Sequence, residues 1–412
     1  MNVEINYTTG YAGTGKSTDL IKKVKTLNID TTVVIAPTHK ALNRLRGSID
    51  EKQEIKTIHS LLGWIPTINE NAKRVEHIDS TYKLKLPLDN YTDIVIDEAG
   101  MMSEEMLFDI ISKFDMLGYD AEGNVDNPEL ANATVTLHLY LDLYQLLPVK
   151  GVQIQIDEDA TKRLETQYRS ESPDVVDLYT KFVHYLDGTN SSIDMPLDRH
   201  SIYSENIKQF NTNEFRKGDR LLAYTNKAVG AWNKHLAKKL GITGFDNQEV
   251  QLGSMVDTVT VHSFIEYNST EDIVADFTSG RLKLQNSQIS PKFLEYSLSA
   301  LIKHPKIKFI VSNKNIVYPV IVGIAEANKI MKAAKEKAIE DRKQFKHVYT
   351  LDRAYTMDYT FATTVHKSQG SEFNNVFVDA KDIALSILPN YYDTYARLMY
   401  VSISRCIKTL YI

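Results

Sequence analysis

The sequence predicts an α/β protein of two lobes, each built on a mostly parallel sheet and each carrying a small β-rich insertion. Three observations predict this. Short β-branched, apolar runs such as Thr31–Ala36 and Asp93–Ile96 read as strands buried on both faces, as parallel strands do. Helix-length segments separate them, with polar residues at the strands' carboxyl ends. The chain has 412 residues, more than one hydrophobic core usually serves, so two to four domains are expected.

In order, Val3–Tyr7 is a short strand, followed by a glycine-rich turn at Gly10–Gly15 and a helix over Lys16–Lys25. Thr31–Ala36 is the next strand, and Ala41–Ser48 is helical. Trp64–Leu88 breaks the pattern with alternating and turn-rich sequence, as an inserted hairpin does. Asp93–Ile96 and Ala133–Leu141 are strands, and the polar Ala121–Leu130 reads as a surface loop. The style then repeats, with a strand at Leu221–Tyr224 and a helix at Ala228–Lys239. Composition changes from about Gln248 to Thr350. Val256–Thr260 and Val317–Val322 look like strands there, Pro291–Ile302 like a helix and Ala325–Phe345 like a long charged helix. Strand character resumes at Phe361–Val365 and Asn375–Val378 before a closing segment, Thr394–Ser404. These readings give a first domain at 1–160 with a hairpin subdomain at about 64–90. A second domain takes 161–247 and 351–412, and an accessory subdomain is inserted at 248–350. No short-period repeat or low-complexity tract is visible.

Composition limits the function classes. Hydrophobic residues at 43% and charged residues at 25% are ordinary for a globular protein. The net charge of −5 argues against a histone-like or tail-type nucleic-acid binder, although a local groove can still be positive. A single cysteine, Cys406, rules out a disulfide framework and a cysteine-rich zinc site, and fits a reducing cytoplasm. Met1–Thr9 is too short and polar for a signal peptide, and no run approaches eighteen apolar residues, so no membrane association is expected.

Gly10-Tyr11-Ala12-Gly13-Thr14-Gly15-Lys16-Ser17 matches the full phosphate-loop pattern, between a strand and a helix. Gly10, Gly13, Thr14 and Gly15 let backbone N–H groups fold round phosphates, and the helix N-terminus adds its dipole. Lys16 is placed for the β- and γ-phosphates and Ser17 for Mg²⁺. Asp97-Glu98 ends a buried strand; Asp97 is assigned to the metal and Glu98 to the attacking water. Together these motifs make a nucleoside triphosphate hydrolase, with ATP as substrate. Two arginines, Arg169 and Arg405, are candidates for stabilising charge on the transferring phosphoryl group.

Taken as an ordered set, these and further motifs resemble a superfamily 1 helicase, within that group the phage Dda and RecD-like branch. Ala36–Ala41 resembles the strand-end motif that touches DNA, and Thr57–Ser60 the one after it. Leu141–Val149 is similar to the segment whose glutamine, here Gln145, senses the γ-phosphate. Leu164–Ser170 resembles the segment supplying one arginine finger and Tyr224–Asn226 a nucleic-acid contact. Thr364–Gly370 is close to the T-x-H-K-x-Q-G motif, and Tyr400–Arg405 to the final V-x-x-T-R element. Leu141 replaces a glycine and Ser404 a threonine, and neither change removes a charged group. Only nine residues precede Gly10 and none is Gln, so base selectivity is expected to be weaker, or to rest on stacking alone.

The resemblance implies two RecA-like P-loop NTPase domains with the nucleotide between them, and ATP with Mg²⁺ as the cofactors. It implies DNA contacts at Thr38, His39, Thr57, His59, Thr225, His366 and Lys367, on both lobes. The implied activity is an ATP-dependent helicase that travels 5′ to 3′ on single-stranded DNA and opens forked duplexes, with Trp64–Leu88 as the wedge. Its implied setting is a monomer in the host cytoplasm, phage-encoded, serving replication or recombination beside a single-strand-binding or other replication protein. Two other readings stay open: a translocase that displaces bound proteins without efficient unwinding, and a non-enzymatic nucleic-acid-binding accessory.

Overall fold

The computed structural model describes residues 1–68, 74–78, 88–120, 122–148, 151–168, 171–189, 202–242, 250–254, 258–261, 264–266, 307–312, 317–322, 329, 332–333, 335–337, 355–387 and 391–412. In chain order the first lobe comprises β1 (Asn2–Gly10), α1 (Lys16–Thr26), β2 (Thr32–Ala36), α2 (His39–Arg46), β3 (Glu54–Thr57) and α3 (Ile58–Leu62). It continues with β4 (Trp64–Ile68), β5 (Arg74–Ile78), β6 (Asp93–Ile96), α4 (Glu104–Asp115), α5 (Pro128–Asn132), β7 (Thr134–Leu141) and β8 (Thr161–Leu164). The second lobe follows with α6 (Pro173–Leu186), β9 (Ile207–Lys208), β10 (Arg220–Ala223) and α7 (Asn226–Lys239). Strands β11 (Val250–Ser254), β12 (Thr258–Val261), β13 (Phe264–Glu266), β14 (Ile307–Ser312), β15 (Val317–Val322) and β16 (Tyr355–Tyr359) come next. The chain closes with β17 (Ala362–Thr364), α8 (Val365–Ser368), β18 (Phe373–Val378), α9 (Ala380–Ile387), α10 (Tyr392–Ile403) and β19 (Cys406–Tyr411).

Two parallel sheets organise the lobes, in the order β3-β2-β6-β7-β1-β8 and β17-β10-β18-β19-β9. Counted within each lobe and leaving the insertions aside, both run third, second, fourth, fifth, first, with β8 added at one edge. The lobes are thus two copies of one α/β plan, the pair of RecA-like domains that the resemblance implies. Central strands β2 and β6 are buried, as their unbroken apolar runs predict. Helices cover the sheets with one apolar stripe each: Leu107, Ile110 and Phe114 on α4, and Val175, Leu178, Tyr179, Phe182 and Val183 on α6. Their starts are fixed by Ser103 and Ser172, whose side chains accept from Met106 N and Val175 N. Helix α10 is buried from Leu398 through Ile403, as befits a helix between a sheet and α6. In the second lobe, Asn233 on α7 accepts from Ala362 N at 2.7 Å and donates to Ala362 O at 3.2 Å. It thereby satisfies the outer edge of β17, where each such bond contributes about 1 kcal/mol.

The structure moves several expected boundaries. Strand β8 pairs with β1, so the first sheet extends past residue 160 to Leu164. Likewise β16 joins β11 and β15, so 355–359 goes with the inserted strands rather than the second lobe's sheet. Those strands form a sheet in the order β12-β11-β16-β15-β14-β13, antiparallel except at β15–β16. Strands β4 and β5 pair as an antiparallel hairpin. Ala121–Leu130 is not all loop: Asn127 accepts from Glu129 N and Leu130 N, and with Pro128 it starts α5. Pro291–Ile302 lies outside the described residues, and of Ala325–Phe345 only a few helical positions are described. Among the described residues no helix is long and apolar enough to cross a membrane.

Candidate active site

The phosphate loop joins β1 to α1, and its glycines are there for geometric reasons. Gly13 and Gly15 have φ of 87° and 83°, in the left-handed region that side chains disfavour. A Cβ at Gly10 would lie 2.6 Å from Leu164 O, so β8 packs directly on the loop. Lys16 Nζ donates to Gly10 O at 2.5 Å and Tyr11 O at 2.7 Å, and lies 3.6 Å from Asp142 Oδ2. The ammonium therefore sits inside the curl of the loop, where phosphate oxygens would meet it.

The Asp97-Glu98 pair follows β6 through an unusual backbone. Glu98 has φ of 53°, the one non-glycine residue with positive φ among those described. Such a conformation costs on the order of 1–3 kcal/mol and persists where the surroundings impose it. Here Glu98 N donates to Asp97 Oδ1 at 3.0 Å, and a Cβ at Gly100 would meet Asp142 O at 2.8 Å. Burial, and then the neighbouring Glu98 carboxylate, push the Asp97 carboxyl up to about 6, against the opposing pull of Arg44. Gln145 Nε2 lies 3.4 Å from both Glu98 Oε2 and Asp142 Oδ2, and its Oε1 accepts from Gln369 Nε2 at 3.3 Å. A carboxamide relay thus runs from Glu98 to the second lobe.

Ser17, Asp97, Glu98, Gln145 and Arg405 line one cleft of about 390 Å³ with Lys16, Arg44, Tyr168 and Glu372. Arg405 is 1% exposed. Its Nε donates to Val401 O at 3.1 Å and its two terminal nitrogens to Ser371 O at 3.4 Å and Ser404 Oγ at 3.2 Å. Arg169 lies outside the described residues, but its neighbours dock on the loop: Tyr168 N donates to Gly13 O at 2.8 Å and Gln167 Nε2 to Ala12 O at 2.7 Å. Tyr168 is 73% exposed and borders the cleft.

Several residues here were given no role from the sequence. Tyr400 OH accepts from Ala12 N at 2.7 Å and donates to Asp142 Oδ2 at 2.7 Å, so one hydroxyl of α10 braces both the phosphate loop and the partner of Lys16. Burial, and then Asp142, raise that phenol far above its ordinary value, which keeps it a donor. Arg397 on the same helix donates to Leu143 O at 2.6 Å and Gln145 O at 2.8 Å. Most unexpected is Arg44, whose terminal nitrogen donates to Ser17 Oγ at 2.5 Å and Asp97 Oδ2 at 3.3 Å. A single cation therefore already reaches both oxygens assigned to Mg²⁺. A hard hydroxyl and one carboxylate suit Mg²⁺, which commonly takes its other ligands from phosphate and water.

The candidate DNA contacts lie at strand ends that correspond between lobes. Thr38 follows β2 and Thr57 ends β3; Thr225 follows β10 and Thr364, not singled out from the sequence, ends β17. All four hydroxyls cap the helix that follows, accepting from Ala41 N, Ser60 N, Ala228 N and Lys367 N. His59 and His366 each stand two residues after their threonine, and Lys367 follows His366. The His366 ring packs on Tyr224 with centroids 5.9 Å apart. The Thr225 hydroxyl is also tied to Asp382 Oδ1 at 3.0 Å. The side chain of His39, the first residue of α2, lies outside the described residues.

Residues 2–118 match the AAA domain family, and residues 359–412 the UvrD-like helicase C-terminal domain family. The pairing supports a superfamily 1 helicase. The first match takes in the loop and Asp97-Glu98, and the second takes in Gln369, Tyr400 and Arg405, so the two matched segments meet at the cleft. An uncharacterized protein of Acanthamoeba polyphaga mimivirus is 23% identical over 92% of this chain and 90% of its own length. An uncharacterized protein of Methanocaldococcus jannaschii is also 23% identical over 98% of this chain, which spans 36% of that protein. Among solved structures, the Pif1 helicase from Candida albicans superposes with a TM-score of 0.49 and 17% identity, covering 99% of this chain and 90% of that one. Bacteroides Pif1 bound to ssDNA gives 0.49 and 16%, covering 100% and 88%.

Proposed function

We propose that this chain is an ATP-dependent DNA helicase that travels 5′ to 3′ on single-stranded DNA, with Mg²⁺ as cofactor. The observation that carries the reading is one cleft lined from both lobes, with threonine-capped strand ends at corresponding places in the two parallel sheets. Lys16 holds the β- and γ-phosphates, Glu98 orients and deprotonates the attacking water, and Gln145 reads the γ-phosphate through its contact to Glu98. Arg405 and Arg169 offset charge on the transferring group from beyond the first lobe, and the exposed Tyr168 ring is placed to stack on the base. Bound Mg²⁺, held by Ser17 and Asp97, neutralises phosphate charge. Because Gln145 meets Gln369 and Ala12 meets Tyr400, a change at the phosphates is felt directly by the second lobe. A strand gripped at Thr38 and Thr57 on one lobe and at Thr225, His366 and Lys367 on the other then moves with each closure. Hydroxyls and short polar groups suit backbone phosphates and read no sequence.

The hairpin β4–β5 is proposed as the wedge that keeps the second strand out. Each base-pair step costs about 1.4 kcal/mol in stacking, well within a coupled nucleotide cycle. A fork with only a 5′ single-stranded tail is expected to be unwound and one with only a 3′ tail left intact. Deleting residues 70–73, between the two hairpin strands, should impair unwinding far more than ATP turnover. Preference for the 3′ tail would refute the direction, and full unwinding by the deletion would refute the wedge. ATP turnover that moves along DNA and strips bound protein from both tails alike, without strand separation, would instead make the chain a translocase.

A further inference from the structure

We propose that Arg44 is a built-in competitor for the metal ion of the nucleotide cleft, and that helix α2 ties its withdrawal to strand binding at Thr38. The inference rests on the proposed reading of Ser17 and Asp97 as metal ligands. The guanidinium donates to Ser17 Oγ at 2.5 Å and to Asp97 Oδ2 at 3.3 Å, and stands 3.7 Å from Glu98 Oε1. Mg²⁺ takes oxygen ligands at about 2.0–2.1 Å in near-ideal octahedral geometry, which leaves no space for a second cation on the same two atoms. One must leave when the other arrives.

Arg44 is suited to that exchange. It neutralises two adjacent carboxylates that would otherwise repel each other, with Asp97 almost wholly buried. Its Nε is itself buried without a hydrogen-bond partner, so this pose leaves a donor unsatisfied and the guanidinium has something to gain by turning. Glu372, on the second lobe, lines the same cleft and acts electrostatically on Arg44, offering a carboxylate for the displaced side chain. Arg44 also belongs to the eight-residue helix that Thr38 caps. Arg44 lies six positions after Thr38, about 9 Å along a rigid helix. A phosphate drawn to the Thr38 end therefore acts on the same short rod that carries Arg44 into the metal position.

The test measures nucleotide binding rather than turnover. Binding of ADP carrying a ribose fluorophore is titrated against Mg²⁺ in the full chain, with and without an oligo-dT strand. Arg44→Ala and the shape-preserving Arg44→Gln should each lower the Mg²⁺ concentration for half-maximal binding by about tenfold or more, the size of one charge-assisted hydrogen bond. Oligo-dT should lower it in the wild type and leave both variants unchanged. An unchanged or raised Mg²⁺ requirement in both variants would overturn the competition, and an equal oligo-dT effect in all three proteins would overturn the coupling. Ser17→Ala serves as the reference: if it too leaves the Mg²⁺ dependence untouched, the metal reading of the cleft fails, and the competition with it.

Discussion

Lys16→Ala is expected to lower ATP turnover by on the order of 10³-fold, at the upper end of what one preorganised donor to a transition state supplies. The Lys16 ammonium lies within the loop, bonded to Gly10 O and Tyr11 O and paired with Asp142. Phosphate oxygens entering the loop would take over those bonds, and alanine leaves only backbone N–H groups, with no cation, to meet them. The same change should spare folding, because Asp142 keeps the Tyr400 hydroxyl and the Tyr144 backbone N–H as donors. It should also spare strand binding, since Thr38, Thr57, Thr225 and Thr364 stand at the ends of other strands. Single-turnover hydrolysis and fluorescence anisotropy of a labelled oligo-dT measure the two halves. Unchanged hydrolysis would remove the phosphate loop from the mechanism.

Replacing Arg405 by alanine is expected to lower kcat by about 10²-fold or more while nucleotide affinity changes little. Arg405 reaches the cleft from the end of α10, held by Val401 O, Ser371 O and Ser404 Oγ. That bracing means alanine also removes three hydrogen bonds from the end of α10, and some loss of thermal stability should accompany it. Arg405→Lys separates the two effects. An ammonium keeps the charge and one or two of the bonds but lacks the planar fork, so Tm should recover while kcat stays low. Recovery of both by lysine would make Arg405 a brace rather than a catalytic residue.

What the sequence could reveal follows the range over which each feature is encoded. The phosphate loop is legible because eight consecutive residues carry it, and the backbone, through Gly13 and Gly15, does much of the work. Asp97-Glu98 is legible because a buried strand announces its own end. Arg44 is not, because its approach to Ser17 and Asp97 depends on how α2 is rotated against β2, which no local pattern states. Tyr400 and Ala12 are 388 positions apart, and only the folded contact gives that hydroxyl a purpose. The duplicated strand order of the lobes escapes a search for repeats because topology is conserved by packing, not by identical residues. Strand β8 is illegible for a related reason: Thr-Lys-Arg-Leu is a polar edge strand that owes its place to β1. Thr364 is one residue of a motif in the sequence, and only the fold shows that it ends its strand and caps the next helix as Thr57 does in the other lobe.

In the proposed helicase, the nucleotide cleft is coupled to a DNA strand held by both lobes. Steady-state ATP turnover of the full chain, with and without oligo-dT, tests this most directly. Slow turnover alone and a rise of roughly tenfold or more with the strand present are expected, within the usual range for coupled sites. Turnover that oligo-dT leaves unchanged, or no turnover in either condition, would contradict it.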